Sequence, residues 1–308
     1  LALGNELKKT GSIEQALRTC WPLFTGAFSC VGIFNDTVFA FRDENGIRPL
    51  SIGKSDHGHV IASETVAHNI IGAEILRDVA PGELIMLQGE TLQSVQITEG
   101  REQIDAFEFV YLARPDSYIA GKSVYTSRYE AGKALAKIAP VDADIVFGIP
   151  DSGVPSAMGY AHASGIRYEQ GLMKNRYIGR TFIEPEKIRK TTVQLKFNVI
   201  AEAVRDKNIV IIDDSLVRGN TLTYVIKLLK KHGAKKVHVR VSSPPVKFPD
   251  FYGIDTPKGN DLLASEYNES QIAALLNADS LSFLSLKDLV KSIGLPASRL
   301  CLSSFNGE

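Results

Sequence analysis

Residues 208–241 constrain the fold more than any other part of the chain. They run as the apolar segment NIVIID, a turn DSLVRGN, the helical pattern TLTYVIKLLKKHG and a second apolar run, KVHVRV. Strands alternating with helices in this way pair in parallel through right-handed crossovers. The rhythm begins earlier, with a helix expected over 127–139, the strand DIVFGIP, the helix SAMGYAHASG and the strand YEQGLMKN. A central parallel sheet flanked by helices follows for 111–308, an α/β architecture.

Ligands of such a sheet sit beyond the carboxyl ends of its strands. Asp213 and Asp214 fall at one such end, and adjacent carboxylates raise each other's pKa unless something positive or rich in hydroxyls lies over them. The loop Ser215, Val217, Arg218, Gly219, Asn220, Thr221 then enters a helix. Backbone N–H groups, two hydroxyls and the positive end of that helix can surround one phosphate there, and Gly219 lets the backbone approach it closely. The acids suit vicinal sugar hydroxyls or Mg²⁺, so a phosphorylated sugar matches both halves. The competing reading is a strand-to-helix turn whose acids cap the helix.

The first 110 residues read differently. SIEQALRTCWPLF has a capping serine and helical spacing. AFSCVGIF, TVFAFRD, RPLSIG, HVIAS, ELIMLQG and TLQSVQI are short strands with turn-like separators, which predicts a mostly antiparallel sheet layered with helices and one helix over 64–72. The boundary is expected in FVYLARPDSYIAG, giving domains 1–110 and 111–308. The opening LALGNELKKTG resembles the later part of a helix closing at Gly11. The chain starts on Leu1, so a longer polypeptide is expected to precede it.

Composition removes several classes. Lys plus Arg equals Asp plus Glu at 35 each over 308 residues, which leaves no electrostatic footprint for nucleic acid or an anionic membrane. No apolar run reaches membrane-spanning length and the first residues show no basic region followed by an apolar core, so a cytoplasmic location is expected. Cys20, Cys30 and Cys301 have no metal-like spacing and are expected to be unpaired thiols.

IVIIDDSLVRGNTL resembles the phosphoribosyl pyrophosphate signature of the type I phosphoribosyltransferases. The variant DDSLVRG is similar to that of the glutamine-dependent amidophosphoribosyltransferases, which open de novo purine synthesis. TGAFSCVGIF, DENGIRPLSIG, IASET, FEFVYLARPDSYIAGKSVY, GIPDSG, KNRYIGRTFI and YGID agree with that family in its order across nearly the whole chain. The resemblance implies that 1–110 is the later part of an α+β layered N-terminal-nucleophile glutaminase domain. It also implies that Asp213 and Asp214 contact the ribose hydroxyls and Mg²⁺ and that 215–221 hold the 5-phosphate. Asp151, Ser152 and Gly153 would meet the diphosphate, with Ser152 also at the metal, although a simple helix cap by Ser152 fits the spacing too. Lys174, Arg176, Tyr177 and Arg180 of KNRYIGRTFIEPEKIRK would neutralise departing pyrophosphate and exclude water; taken alone, this charge run is a solvated loop.

The expected substrates are phosphoribosyl pyrophosphate and glutamine or ammonia. Purine nucleotides as feedback inhibitors and a homo-oligomeric state are implied by the family alone. The family's nucleophile is an N-terminal cysteine, which Leu1 cannot replace, so this chain alone is expected to use ammonia. Some members hold a four-iron cluster on four cysteines; the matching positions here are Asp105, Asp250, Cys301 and Ser304, and one thiol does not hold such a cluster. Two rivals remain: a regulatory module that binds phosphoribosyl pyrophosphate without turnover, and a transferase acting on a free purine base.

Overall fold

The computed structural model describes residues 1–175, 177, 196–252 and 262–307. The early strands form two antiparallel sheets where the sequence suggested one. Ser29–Phe34, Thr37–Arg42, Glu83–Gln88 and Thr91–Gln96 make the first, in that spatial order. Gly58–Ala62, Ser51–Ser55 and Glu74–Asp78 make the second. The division comes from the loop after Arg42. Asp43 accepts the N–H groups of Asn45 and Ile47 at 3.0 and 3.2 Å. The buried Arg42 guanidinium donates to the carbonyls of Arg48, Val79 and Gly46 at 2.7, 2.7 and 2.5 Å, which turns the chain into a new layer. The strand Glu74–Asp78 was not anticipated, because its residues are mostly exposed and carry no alternation to reveal it.

Period-two alternation separates the cores on either side of the first sheet. Phe39, Phe41 and Leu84 pack against Leu7, Ile13 and Leu17 of the helices Ala2–Thr10 and Ile13–Cys20. Ala40 and Ile85 face the second sheet through Leu50, Ile52 and Val79. The expected helix over 64–72 spans Thr65–Ile70.

The later residues build one five-stranded, fully parallel sheet in the order Arg167–Tyr168, Ile145–Gly148, Asn208–Asp213, Lys236–Val241, Ser280–Phe283. Asn208–Asp213 is its middle strand. Val210 and Ile212 face the helices Val124–Ile138 and Val154–Ser164. Ile209 and Ile211 face Leu222, Val225, Ile226 and Leu229 of the helix Asn220–Lys231. The expected strand over 168–175 divides in two. Arg167–Tyr168 stays in the sheet, while Leu172–Lys174 leaves it to pair antiparallel with Phe197–Val199. Gly171 allows the departure, since a Cβ there would lie 2.3 Å from the Phe147 ring.

Arg48 connects the two parts. It pairs with Asp105 at 3.1 Å and Glu108 at 2.9 Å, and donates to the Tyr252 carbonyl at 2.8 and 3.1 Å. The proposed boundary at residue 110 falls within the short turn Glu108–Leu112. No described helix is long and apolar enough to cross a membrane.

The helices Val124–Ile138 and Val154–Ser164 touch backbone to backbone. A Cβ on Gly132 would fall 1.8 Å from the Ser156 carbonyl oxygen, and one on Gly159 would fall 1.9 Å from that of Tyr129. Gly132→Ala therefore forces the helices apart and is expected to lower stability by about 3 kcal/mol, the upper end of overpacking. Urea midpoints of the two proteins check this.

Candidate active site

The parallel register places Gly148 beside Ile212, so the loops leaving these two strands lie next to each other. The Ile149 N–H donates to the Ile212 carbonyl at 2.8 Å, and the Gly153 N–H to the Ile149 carbonyl at 3.1 Å. Side chains do not fit here: a Cβ on Gly148 would lie 2.4 Å from the Gly153 oxygen, and one on Gly153 would lie 2.5 Å from the Ile212 oxygen. The 150–153 loop is thereby pressed against the strand that carries the acids.

Asp213 and Asp214 are both buried. Asp213 accepts the Asp214 N–H at 3.0 Å. The Asp214 carboxylate receives the hydroxyls of Ser152 and Ser215, and this pair of hydroxyls shows what its oxygens are arranged to accept. Neither acid caps the following helix: Asn220–Lys231 starts at Gly219, with φ 74°, and no side chain caps it. The helix-cap reading of the acids fails, as does that of Ser152, because the helix Val154–Ser164 likewise has no side-chain cap. An uncapped helix N-terminus leaves N–H groups and a positive dipole end for an anion.

Desolvation pushes both carboxyls above the ordinary carboxylate range, most strongly for Asp213, which the Asp214 charge pushes further. The serine hydroxyls and the Arg128 guanidinium counteract the effect at Asp214, and Lys196 counteracts it at Asp213.

The ribbon Leu172–Lys174 and Phe197–Val199 supplies the cations. Lys174 pairs with Asp151. Lys196 precedes the second ribbon strand, and its carbonyl accepts the Asn175 N–H at 2.8 Å. Burial lowers its pKa, and Lys174 adds to that, while Asp213, Asp151 and Asp214 oppose it. Lys196 is a site residue the sequence reading passed over. It closes the basic stretch, but only the ribbon pairing brings its charge back to Asp213. Arg128 was missed as well; its place depends on helix packing.

Asp151, Ser152, Gly153, Lys174, Asp213, Asp214 and Ser215 are thus together. Leu216 is buried under the loop, Val217 accepts the Leu263 N–H at 3.1 Å, Arg218 is exposed, and Asn220 and Thr221 open the helix. Gly219 has positive φ, and a Cβ would lie 2.8 Å from Leu263. Tyr177 is 98% exposed and not brought to the acids. Arg176 and Arg180 lie outside the described residues.

Mg²⁺ suits an oxygen-only set made of two carboxylates and the Ser152 hydroxyl. Among the described residues no group of three or more His, Cys, Asp or Glu could hold a metal ion, so substrate oxygens and water would complete the coordination. The four positions matching cluster ligands also meet. Cys301 pairs with Asp105 in a parallel bridge, and the Ser304 hydroxyl donates to Asp250 at 3.4 Å. Burial pushes Asp105 up to about 7 despite Arg48, and the Cys301 thiol is raised by burial too. A single thiol among buried oxygens does not fit an iron–sulfur cluster.

The fold and its paired strand-end loops define a type I phosphoribosyltransferase domain, and the phosphoribosyl transferase domain family matches residues 129–243. The chain is 45% identical to an amidophosphoribosyltransferase of Mycobacterium bovis, over 96% of its own length and 58% of that relative's. It is 42% identical to one from Archaeoglobus fulgidus, covering 64% of it, and 41% identical to one from Staphylococcus aureus, covering 62%. It superposes on the glutamine phosphoribosylpyrophosphate amidotransferase of B. subtilis, complexed with ADP and GMP, with a TM-score of 0.90 and 39% identity, covering 99% of this chain and 69% of that one. The chain belongs to the amidophosphoribosyltransferase family and spans somewhat over half the length of the curated relatives it matches.

The raised acids have a consequence for stability. A carboxyl whose folded pKa is raised contributes fully below its unfolded value of 3.8 and loses that contribution as pH rises through the folded value. Asp213→Asn, which keeps an acceptor oxygen and removes the charge, should therefore stabilise the ligand-free chain by about 1 kcal/mol at pH 8, and the gain should vanish toward pH 4. Thermal melts at the two pH values check the sign.

Proposed function

We propose that this site transfers the phosphoribosyl group of phosphoribosyl pyrophosphate to ammonia, releasing pyrophosphate and forming 5-phosphoribosylamine, the reaction that opens de novo purine synthesis. The buried acid pair between two loops suited to phosphate carries this reading. Asp213 and Asp214 accept the ribose hydroxyls. The 215–221 loop and the uncapped helix behind it take the 5-phosphate. Asp151, Ser152 and Gly153 face the diphosphate, with Lys174 and Lys196 beside it.

No nucleophilic side chain is required. The C1–O bond to pyrophosphate breaks, the C1–N bond forms, and the resulting ammonium group on C1 loses one proton to solvent or to the departing pyrophosphate. Catalysis rests on positioning and on charge fixed where it develops. Lys174 and Lys196 offset the charge gathering on pyrophosphate, and Arg176, Tyr177 and Arg180 belong to the segment assigned to exclude water. Mg²⁺, held by Asp213, Asp214 and Ser152, would add charge neutralisation at the diphosphate.

In the complete protein we assign glutamine as the nitrogen source, by way of the family, and ammonia to this chain alone. Feedback inhibition by purine nucleotides agrees with the ADP and GMP held by the B. subtilis relative. The three free cysteines fit a cytoplasmic location. Self-association follows the family.

With Mg²⁺ and ammonium, the chain should release pyrophosphate from phosphoribosyl pyrophosphate, and glutamine should give little. Asp213→Asn combined with Asp214→Asn should lower kcat/KM by about a thousandfold or more. Binding without release would favour a regulatory module, and full activity in the double variant would refute the assignment of the acids.

A further inference from the structure

We propose that Glu64 is a positioning residue for this site: it holds the turn 113–120 and, through the helix Val124–Ile138, the loop that faces the diphosphate. This rests on the functional reading above. Glu64 precedes the helix Thr65–Ile70, yet its side chain does not cap that helix. It accepts the Arg114 N–H at 2.8 Å and the Ser117 hydroxyl at 2.8 Å. Thr65 accepts the Tyr118 N–H at 2.7 Å, and Asp78 accepts the Ala120 N–H at 2.9 Å. Side chains of the early layers thus take backbone donors from one segment. Ala120 within it sits at φ 48°, a conformation a residue with a Cβ keeps only when its surroundings impose it.

The held turn sets the start of the next helix. Its carbonyls at Ser117 and Pro115 accept the N–H groups of Val124 and Tyr125 at 3.0 and 2.9 Å, so two first-turn donors are satisfied by the segment that Glu64 grips. Backbone contact at Gly132 and Gly159 then fixes this helix on Val154–Ser164. The Ser156 hydroxyl adds a bond to the Arg128 carbonyl at 2.9 Å. Val154–Ser164 begins at Gly153, the last residue of the diphosphate-facing loop. Displacing the turn therefore displaces Ser152 relative to Asp214.

Charge runs along the same route. The buried Arg128 guanidinium is held by the carbonyls of Phe109 and Ala113 at 2.7 and 2.8 Å. Its charged neighbours, in order of effect, are Asp214, Glu64 and Glu108. Glu64 and the acid pair thus meet at one cation, from the two parts of the chain.

The test uses Glu64→Ala and Glu64→Gln in the 308-residue chain, well below their melting temperatures. Glu64→Ala should raise KM for phosphoribosyl pyrophosphate by about fivefold or more, with kcat within about twofold. Glu64→Gln, which keeps an acceptor oxygen, should restore most of the difference. Amide hydrogen exchange should quicken at 150–156 in the alanine variant and stay unchanged at 208–213. An unaltered KM, or exchange that is unchanged or quickened equally at both segments, would overturn the proposal by showing that Glu64 only supports the fold. If the unmodified chain fails to turn over, the functional reading falls, and the exchange measurement still decides the role of Glu64.

Discussion

Two carboxyl groups side by side at the dry end of a parallel strand are the constraint around which the later part of this chain is arranged. Burial and mutual repulsion both oppose their ionisation, and a fold does not keep such a pair for its own stability. Every neighbour answers to it. Ser152 and Ser215 supply hydroxyls to Asp214, Lys196 reaches Asp213 from the ribbon, and Arg128 stands behind Asp214. Glycines at 148 and 153 bring the second loop close enough to take part. The arrangement is preorganised toward a ligand that brings hydroxyls and a cation together.

Much of this was legible in the residues. NIVIID gave the bounds of the middle strand, since four aliphatic residues between an asparagine and an acid form a strand buried on both faces. Three helices of the later part were visible, though Val124–Ile138 starts three residues earlier than spacing indicated, because Ser123 accepts the Thr126 N–H as its cap; Glu269–Leu276 and Leu286–Ile293 were not anticipated. Three features were hidden, each for a physical reason. The break at Gly171 depends on the Phe147 ring, the second early sheet depends on a buried guanidinium, and the strand Ser280–Phe283 extends the parallel sheet through helices and turns that carry no chemical motif. Contacts of long sequence separation do not show in a local pattern.

The site divides the same way. Asp213 and Asp214 stood out as adjacent acids at a strand end, whereas Ser152 and Lys174 were named through the family resemblance. Lys196 and Arg128 were not found, because nothing local sets them apart from other basic residues; a ribbon and a helix contact put them beside the acids. The positions aligned with cluster cysteines tell a related story. Asp105, Asp250, Cys301 and Ser304 converge as their alignment implied, but Arg48 joins Asp105 and Glu108 there. Arg48 also donates to the Tyr252 carbonyl and so joins the early layers to the later part at this place.

The most direct test of the account is the position of the 5-phosphate in a crystal structure of this chain with Mg²⁺ and phosphoribosyl pyrophosphate. The phosphate is expected within about 3 Å of backbone N–H groups between residues 215 and 221, with the ribose hydroxyls on Asp213 and Asp214. A phosphate bound elsewhere, with Asp214 still bonded to Ser152 and Ser215, would refute the assignment.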